Sequence, residues 1–173
     1  PPGVVTGKAR QAAVLIPFIP MQDDWHILFI RRTHNPDDRH SGQVAFPGGA
    51  LEPGDDGVLD AALREAYEEI GVYPEDVEIL GRMRDILTIT NYMVTPIVGK
   101  IPWPYKLELQ KSEVSRAFSI PLGWLADERN RTIETRELQS GDVPIPVIYF
   151  NEFQGETLWG ASARITVQLL EAL

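Results

Sequence analysis

Three glutamates stand within five residues in the run Arg64-Glu65-Ala66-Tyr67-Glu68-Glu69-Ile70-Gly71-Val72. Glu65, Glu68 and Glu69 are spaced i, i+3 and i+4, so a helix stacks all three carboxylates on one face. At ~6 Å and an effective dielectric of ~20, each like-charged pair costs roughly 3 kcal/mol, and much less in full solvent. Water, a basic side chain such as Arg64, or divalent cations must offset that repulsion. Hard cations such as Mg²⁺ take oxygen ligands, and carboxylates on a rigid helix supply them at fixed spacing. Pro47-Gly48-Gly49 lies about 15 residues upstream. A Gly-Gly turn lets the backbone approach closely, which makes a main-chain carbonyl a further ligand. Cations held there would polarise a diphosphate and acidify a water.

The flanking residues predict the elements that must position these groups. Residues 12–19 are apolar and β-branched and predict a strand. Residues 25–31 predict a second, joined to the first as a hairpin through Gln22-Asp23-Asp24. A polar loop follows over 33–41, then a short strand over 43–46 that ends in the Pro-Gly-Gly turn. The glutamate helix is expected to start after the turn-rich 52–57, with Asp55 or Asp56 as N-cap. Leu59, Ala62, Leu63, Ala66 and Ile70 form its apolar face, and Gly71 closes it in a left-handed conformation. The glutamates then fall in the last two turns, at the negative end of the helix dipole. Local charge placement and fold disagree there, and such conflicts mark functional sites. Strands are expected over 77–87 and 92–100, a short helix over 121–126, a hairpin from 132–137 and 144–149 with Ser140-Gly141-Asp142 in its turn, and a terminal amphipathic helix over 161–173. Strands surrounding two helices indicate an α+β fold with a mixed β-sheet, in a single domain spanning 1–173.

Composition narrows the functions available. With 173 residues, 43% hydrophobic and 24% charged, the chain suits one ordinary globular domain. A net charge of −9 argues against broad nucleic-acid binding, though not against a small phosphorylated ligand beside bound metal. Zero cysteines exclude disulfides, thiolate metal sites and cysteine nucleophiles, and fit a reducing, cytoplasmic compartment. No apolar run of about 18 residues predicts a membrane span, and no signal peptide is visible. The chain starts at Pro1 rather than Met, so the natural N-terminus is expected to lie upstream. A P-loop, a zinc-type histidine pair and a Gly-x-Ser-x-Gly elbow are all missing from the sequence.

Arg-Glu-x-x-Glu-Glu alone describes many solvated helix faces. The longer arrangement resembles the Nudix box: Gly, five residues, Glu, seven residues, then Arg-Glu-apolar-x-Glu-Glu-x-Gly-apolar. Arg64 to Val72 match at every defined position. Two departures occur upstream. The Gly49-to-Arg64 interval is one residue longer, and acidic Asp55 or Asp56 stands in place of the upstream Glu. The resemblance implies a Nudix-like α/β/α sandwich. It implies Glu65, Glu68 and Glu69 as ligands of Mg²⁺ or Mn²⁺, with Gly48 adding its carbonyl. It also implies Arg64 as the group that holds a glutamate in place, and a carboxylate as base acting on a water held by the metals. That base would come from the box or from a later loop, where Glu113 is the candidate; an exposed helix-cap role is the alternative for Glu113.

Residues before the box resemble a narrower branch, the coenzyme A pyrophosphatases. Leu28-Phe29-Ile30-Arg31-Arg32-Thr33 leads to His40-Ser41-Gly42-Gln43-Val44-Ala45-Phe46-Pro47-Gly48-Gly49. Residues 92–99, Glu113-Val114 with Pro121-Leu122, and 159–165 resemble it too, so the likeness covers about 10–170. Members cleave coenzyme A into 4′-phosphopantetheine and 3′,5′-ADP. That implies a small-molecule nucleoside diphosphate partner, no membrane, no nucleic acid, and a homodimer as a possible assembly. ADP-ribose, NADH or another nucleoside diphosphate derivative is the alternative substrate, and a non-catalytic nucleotide sensor the alternative class. A 3′-phosphate calls for cations, and Arg31, Arg32, Arg39, His40 and Arg84 are the candidates, with Gln43 as a further substrate contact. Surface pairing for Arg31 or Arg32, loop hydrogen bonding for His40 and sheet pairing for Gln43 remain open. Trp103 and Tyr105 either stack on adenine or pack in the core.

Overall fold

The computed structural model describes residues 8–37, 42–137 and 143–173. The longest strand, β1 (Arg10–Met21), is the axis of a mixed sheet. Its side chains alternate: Ala13, Leu15 and Ile19 enter one core cluster, Ala12, Ile16 and Phe18 the other. Along one edge β1 runs parallel to β7 (Tyr92–Lys100), in register from Arg10↔Tyr92 to Phe18↔Lys100. Antiparallel β5 (Glu78–Arg82) and β6 (Ile86–Leu87) pair with β7 beyond it.

The other edge of β1 is divided. Its C-terminal part pairs with β2 (Asp24–Arg32), from Phe18↔Ile27 to Met21↔Asp24. Its N-terminal part pairs with β4 (Gly48–Ala50), at Ala12↔Ala50 to Val14↔Gly48. β2 diverges from β1, and beyond the divergence it pairs with β3 (Val44–Ala45) through Ile30↔Ala45 and Arg31↔Val44. Residues 44–50 therefore run into the opening of a V, bonding first to one arm and then to the other. Leu15 N donates to Pro47 O across the junction (2.8 Å). On its far edge β2 pairs with β8 (Val114–Pro121).

Helix α1 (Val58–Ile70) covers one face, burying Ala61, Ala62, Ala66 and Ile70 against Leu15, Leu28 and Ile30. Helix α3 (Gly160–Ala172) covers the other with Ala163, Ile165 and Leu169. Short α2 (Leu122–Ala126) and the hairpin of β9 (Arg131–Arg136) and β10 (Ile145–Phe150) complete that side. The arrangement is the expected α/β/α sandwich. Among the described residues no helix is long and apolar enough to cross a membrane.

Several local expectations are corrected. Gly48-Gly49 is strand, not turn, because its backbone pairs with β1. The stretch expected as one strand over 77–87 is two, interrupted where Met83 N turns to Pro96 O. Leu59 lies exposed rather than on the buried face of α1, where Ala61 takes its place. β8 was not foreseen. The turn expected at 140–142 lies outside the described residues.

Candidate metal and diphosphate site

α1 begins without a side-chain cap. Gly57, at φ 89°, is the N-cap residue, so neither Asp55 nor Asp56 fills the expected role. Asp55 is spent elsewhere. Its carboxylate accepts Arg64 Nε at 2.7 Å and Arg64 Nη2 at 2.9 Å, a bidentate pair, and also accepts Glu52 N at 2.8 Å. The Asp55 side chain is 2% exposed, and the Arg64 guanidinium holds it below the usual carboxylate range. Asp55, the acidic residue standing in place of the glutamate of the box pattern, is thus the one that meets Arg64.

Arg64 is the hub. Its Nη1 donates to Glu65 Oε1 at 3.0 Å and to Glu68 Oε2 at 3.1 Å, and its Nη2 to Ala50 O at 3.3 Å. One guanidinium therefore ties the helix face to β4 and to the 52–55 turn. Arg64 was expected to hold a glutamate; two, Glu65 and Glu68, accept from it here.

Glu69 is set apart. It is 2% exposed, and its Oε1 accepts Gly48 N at 2.8 Å. Burial pushes its carboxyl up to about 8; the charges of Glu65 and Glu113 push the same way, while the Gly48 N–H and Arg32 pull it down. Burial also raises Glu65, against the pull of Arg64. Glu65 packs on Gly49, where a Cβ would lie 2.7 Å from Glu65 Oε1; at Gly48 a Cβ would run into Ala13 O and Val14. Only glycines let β4 press this closely on both strand and carboxylate.

Glu113 reaches the same neighbourhood through the segment before β8. The end of α1 leaves orphan carbonyls. Gly71, at φ 73°, donates to Tyr67 O, while Glu108 N takes Ile70 O at 3.0 Å and Gln110 N takes Glu69 O at 2.9 Å. Glu113 N and Val114 N then bond to Gln110 O at 2.9 and 2.8 Å. The charge of Glu113 is felt by both Glu65 and Glu69.

The donor set fits a hard divalent cation in chemistry. Glu65 and Glu68 share the Arg64 guanidinium, Glu69 feels the charges of Glu65 and Glu113, and among the described residues the one hydrogen bond on the Glu69 carboxylate is from Gly48 N. Among the described residues no three such side chains converge into a ligand geometry as they stand. Arg64 Nη1 occupies one oxygen each of Glu65 and Glu68, which leaves the second oxygen of each carboxylate open.

The expected substrate residues separate. Arg32 lies on the α1 face, where its charge reaches Glu69. Gln43 offers its carbonyl to Arg32 N at 2.9 Å, the pairing expected of sheet. Arg31 projects from the opposite face and meets Glu156 Oε1 at 3.5 Å. Arg84 is exposed between β5 and β6, its carbonyl taking Gln168 Nε2 from α3 at 3.4 Å. Arg39 and His40 lie outside the described residues. Trp103 and Tyr105 pack half-buried against the α1-side core. Arg116 and Glu156 were missed altogether. They meet at 3.0 Å across 40 residues, and no sequence spacing signals such a contact.

Comparison with known proteins matches residues 9–138 to the NUDIX domain. The protein named "Uncharacterized Nudix hydrolase NudL" of Enterobacter sp. (strain 638) is 43% identical over 113 residues, which is 65% of this chain and 58% of that protein. Its namesake in Escherichia fergusonii is 44% identical over the same shares. The chain thus spans 58% of the length of these relatives. Among solved structures, a MutT/nudix family protein from Enterococcus faecalis superposes with a TM-score of 0.59 at 16% identity, covering 94% of this chain and 61% of that one. A C. elegans Ap4A hydrolase gives 0.56 at 21%, covering 65% and 80%. The NUDIX domain of Shewanella oneidensis NrtR, complexed with ADP ribose, gives 0.51 at 18%, covering 68% and 75%. At these identities the structural likeness speaks for the fold alone.

Proposed function

We propose, since the chain belongs to the NUDIX domain family, that it hydrolyses the diphosphate linkage of coenzyme A or its thioesters with the help of Mg²⁺ or Mn²⁺. One observation carries the reaction class. Glu69 is buried against Gly48 N, beside Glu65 and within the field of Glu113, so its ionised form is disfavoured by burial and by like charge, and a divalent cation would stabilise that form. A bound cation would supply charge neutralisation on the diphosphate and a more acidic water.

The chain's own groups have separate tasks. Glu65, Glu68 and Glu69, with the Gly48 carbonyl, would hold the cation. Asp55 fixes Arg64, and Arg64 orients Glu65 and Glu68. Glu113, tied to the helix end through Gln110, would accept a proton from the attacking water. Water adds across one P–O bond of the diphosphate, giving 4′-phosphopantetheine (or its acyl form) and 3′,5′-ADP. The substrate assignment rests on the likeness of 28–33 and 40–49 to the coenzyme A pyrophosphatases.

Turnover of coenzyme A, dephospho-coenzyme A and ADP-ribose, measured side by side with Mg²⁺ or Mn²⁺, tests both levels. Coenzyme A is expected to be cleaved fastest. Much faster cleavage of ADP-ribose would remove the coenzyme A assignment and leave a diphosphatase of other specificity. Inertness toward all three would remove the hydrolase itself.

A further inference from the structure

On the sheet face opposite α1, two guanidiniums share one buried carboxylate oxygen. Arg31 Nη1 lies 3.5 Å and Arg116 Nη1 3.0 Å from Glu156 Oε1. Arg31 and Arg116 are directly paired across β2 and β8. The carboxylate is 4% exposed, whereas the two arginine side chains are 49% and 43% exposed. Glu156 comes from a tight two-way turn in which Phe153 N meets Glu156 O at 2.8 Å and Glu156 N meets Phe153 O at 2.9 Å. The intervening Gln154 and Gly155 have φ of 48° and 82°, the left-handed pair that such a turn requires. Gln154 O takes a second bond from Arg116 Nη1 at 3.4 Å, and the Arg116 guanidinium lies 5.3 Å from the Phe118 ring centroid.

Two positive charges against one negative leave the cluster with a net positive charge. Among the described residues the remaining donors of Arg31 and Arg116, Nε and Nη2 on each, make no hydrogen bond. A planar fork already held in place is a ready receptor for a tetrahedral dianion. The location suits a substrate. Arg31 pairs with Val44, which is four residues before Gly48, so at most about 14 Å of chain separates them.

We propose that Arg31 and Arg116, pinned by Glu156, form the subsite for a phosphate monoester on the substrate, the 3′-phosphate of the adenosine half in the reading above, on which this inference rests. Neutral ends of other dinucleotides gain nothing from the pair, so it sets specificity rather than rate.

Calorimetric binding in the presence of chelator tests this without requiring catalysis. Adenosine 3′,5′-bisphosphate and adenosine 5′-monophosphate are the probes. The unmodified chain is expected to bind the bisphosphate about tenfold tighter or more. Arg31→Gln leaves the Arg116–Glu156 pair intact. The double change Arg116→Gln/Glu156→Gln keeps the net charge but removes one guanidinium and the carboxylate that pins the other, without orphaning a buried carboxylate. Each is expected to bring the two probes within about twofold of one another. Equal affinities in the unmodified chain, no binding of either probe, or a preference that survives in both variants overturns the subsite. Turnover of coenzyme A and dephospho-coenzyme A, run in parallel, keeps the two readings apart: failure to cleave either counts against the diphosphatase, and not against a measured preference for the bisphosphate.

Discussion

At the residue scale Glu69 is the pivot. Its carboxyl titrates near 8 in the fold against an ordinary 4.5. Between those values the folded chain keeps a proton that the unfolded chain has released. Stability is therefore fully present below about pH 4.5 and lost as pH rises through 8. Glu65, also raised by burial, contributes in the same direction. In chelator, the melting temperature of the protein is expected to fall by roughly 10 °C between pH 5 and pH 8.5. Glu69→Gln should flatten most of that slope, because an amide of the same shape still accepts Gly48 N and carries no charge to desolvate. The same substitution should lower turnover by roughly two to four orders of magnitude, as loss of a metal ligand demands. An unchanged kcat would show that Glu69 is no ligand. A steep melting profile retained in the variant would show that another group titrates.

At the element scale, the end of α1 and the segment 108–114 behave as one part. Gly71 makes this possible: its φ is 73°, and a Cβ there would sit 2.9 Å from Glu108 Cβ and 3.0 Å from Glu108 N. Gly71→Ala combines a left-handed penalty with displacement of that segment, a cost of about 2 kcal/mol. Thermal unfolding should show a drop of roughly 4–8 °C for a chain of this size. Because Glu113 hangs from the same bonds, kcat should fall more than KM rises. Equal loss of stability with undisturbed kcat would separate Glu113 from the chemistry. Legibility in the sequence also divides by element. β7 was readable residue for residue, from Tyr92 to Lys100, since a run of β-branched residues is buried on both faces. β8 escaped because Ser115, Arg116 and Ser119 dilute its apolar residues, although Phe118 and Ile120 alternate into the α3-side core and Val114 enters the α1-side core. The choice between Asp55 and Asp56 was closed to sequence reasoning, for it turns on which side chain meets Arg64 in three dimensions.

At the scale of the whole molecule, a chain of net charge −9 concentrates four of its carboxylates around one end of α1. A divalent cation that binds only the folded form stabilises it by mass action, by about 2.7 kcal/mol at a hundred times its Kd. Millimolar Mg²⁺ or Mn²⁺ at pH 7.5 should raise the melting temperature by several degrees. Matched ionic strength of KCl should not, which separates binding from screening. Equal shifts with either salt would mean that the acidic face is merely solvated. The wider architecture bears on how such a protein acquires new substrates. Residues 44–50 are gripped at one end by β2 and at the other by β1. The β2 end neighbours Arg31 and Arg116; the β1 end carries the two glycines against which the glutamates lie. A single seven-residue ribbon is thereby clamped at both ends. On the proposed reading, replacements around the first clamp would retune what is admitted while the second keeps the hydrolytic apparatus in register, so the two properties would be free to be inherited and selected separately.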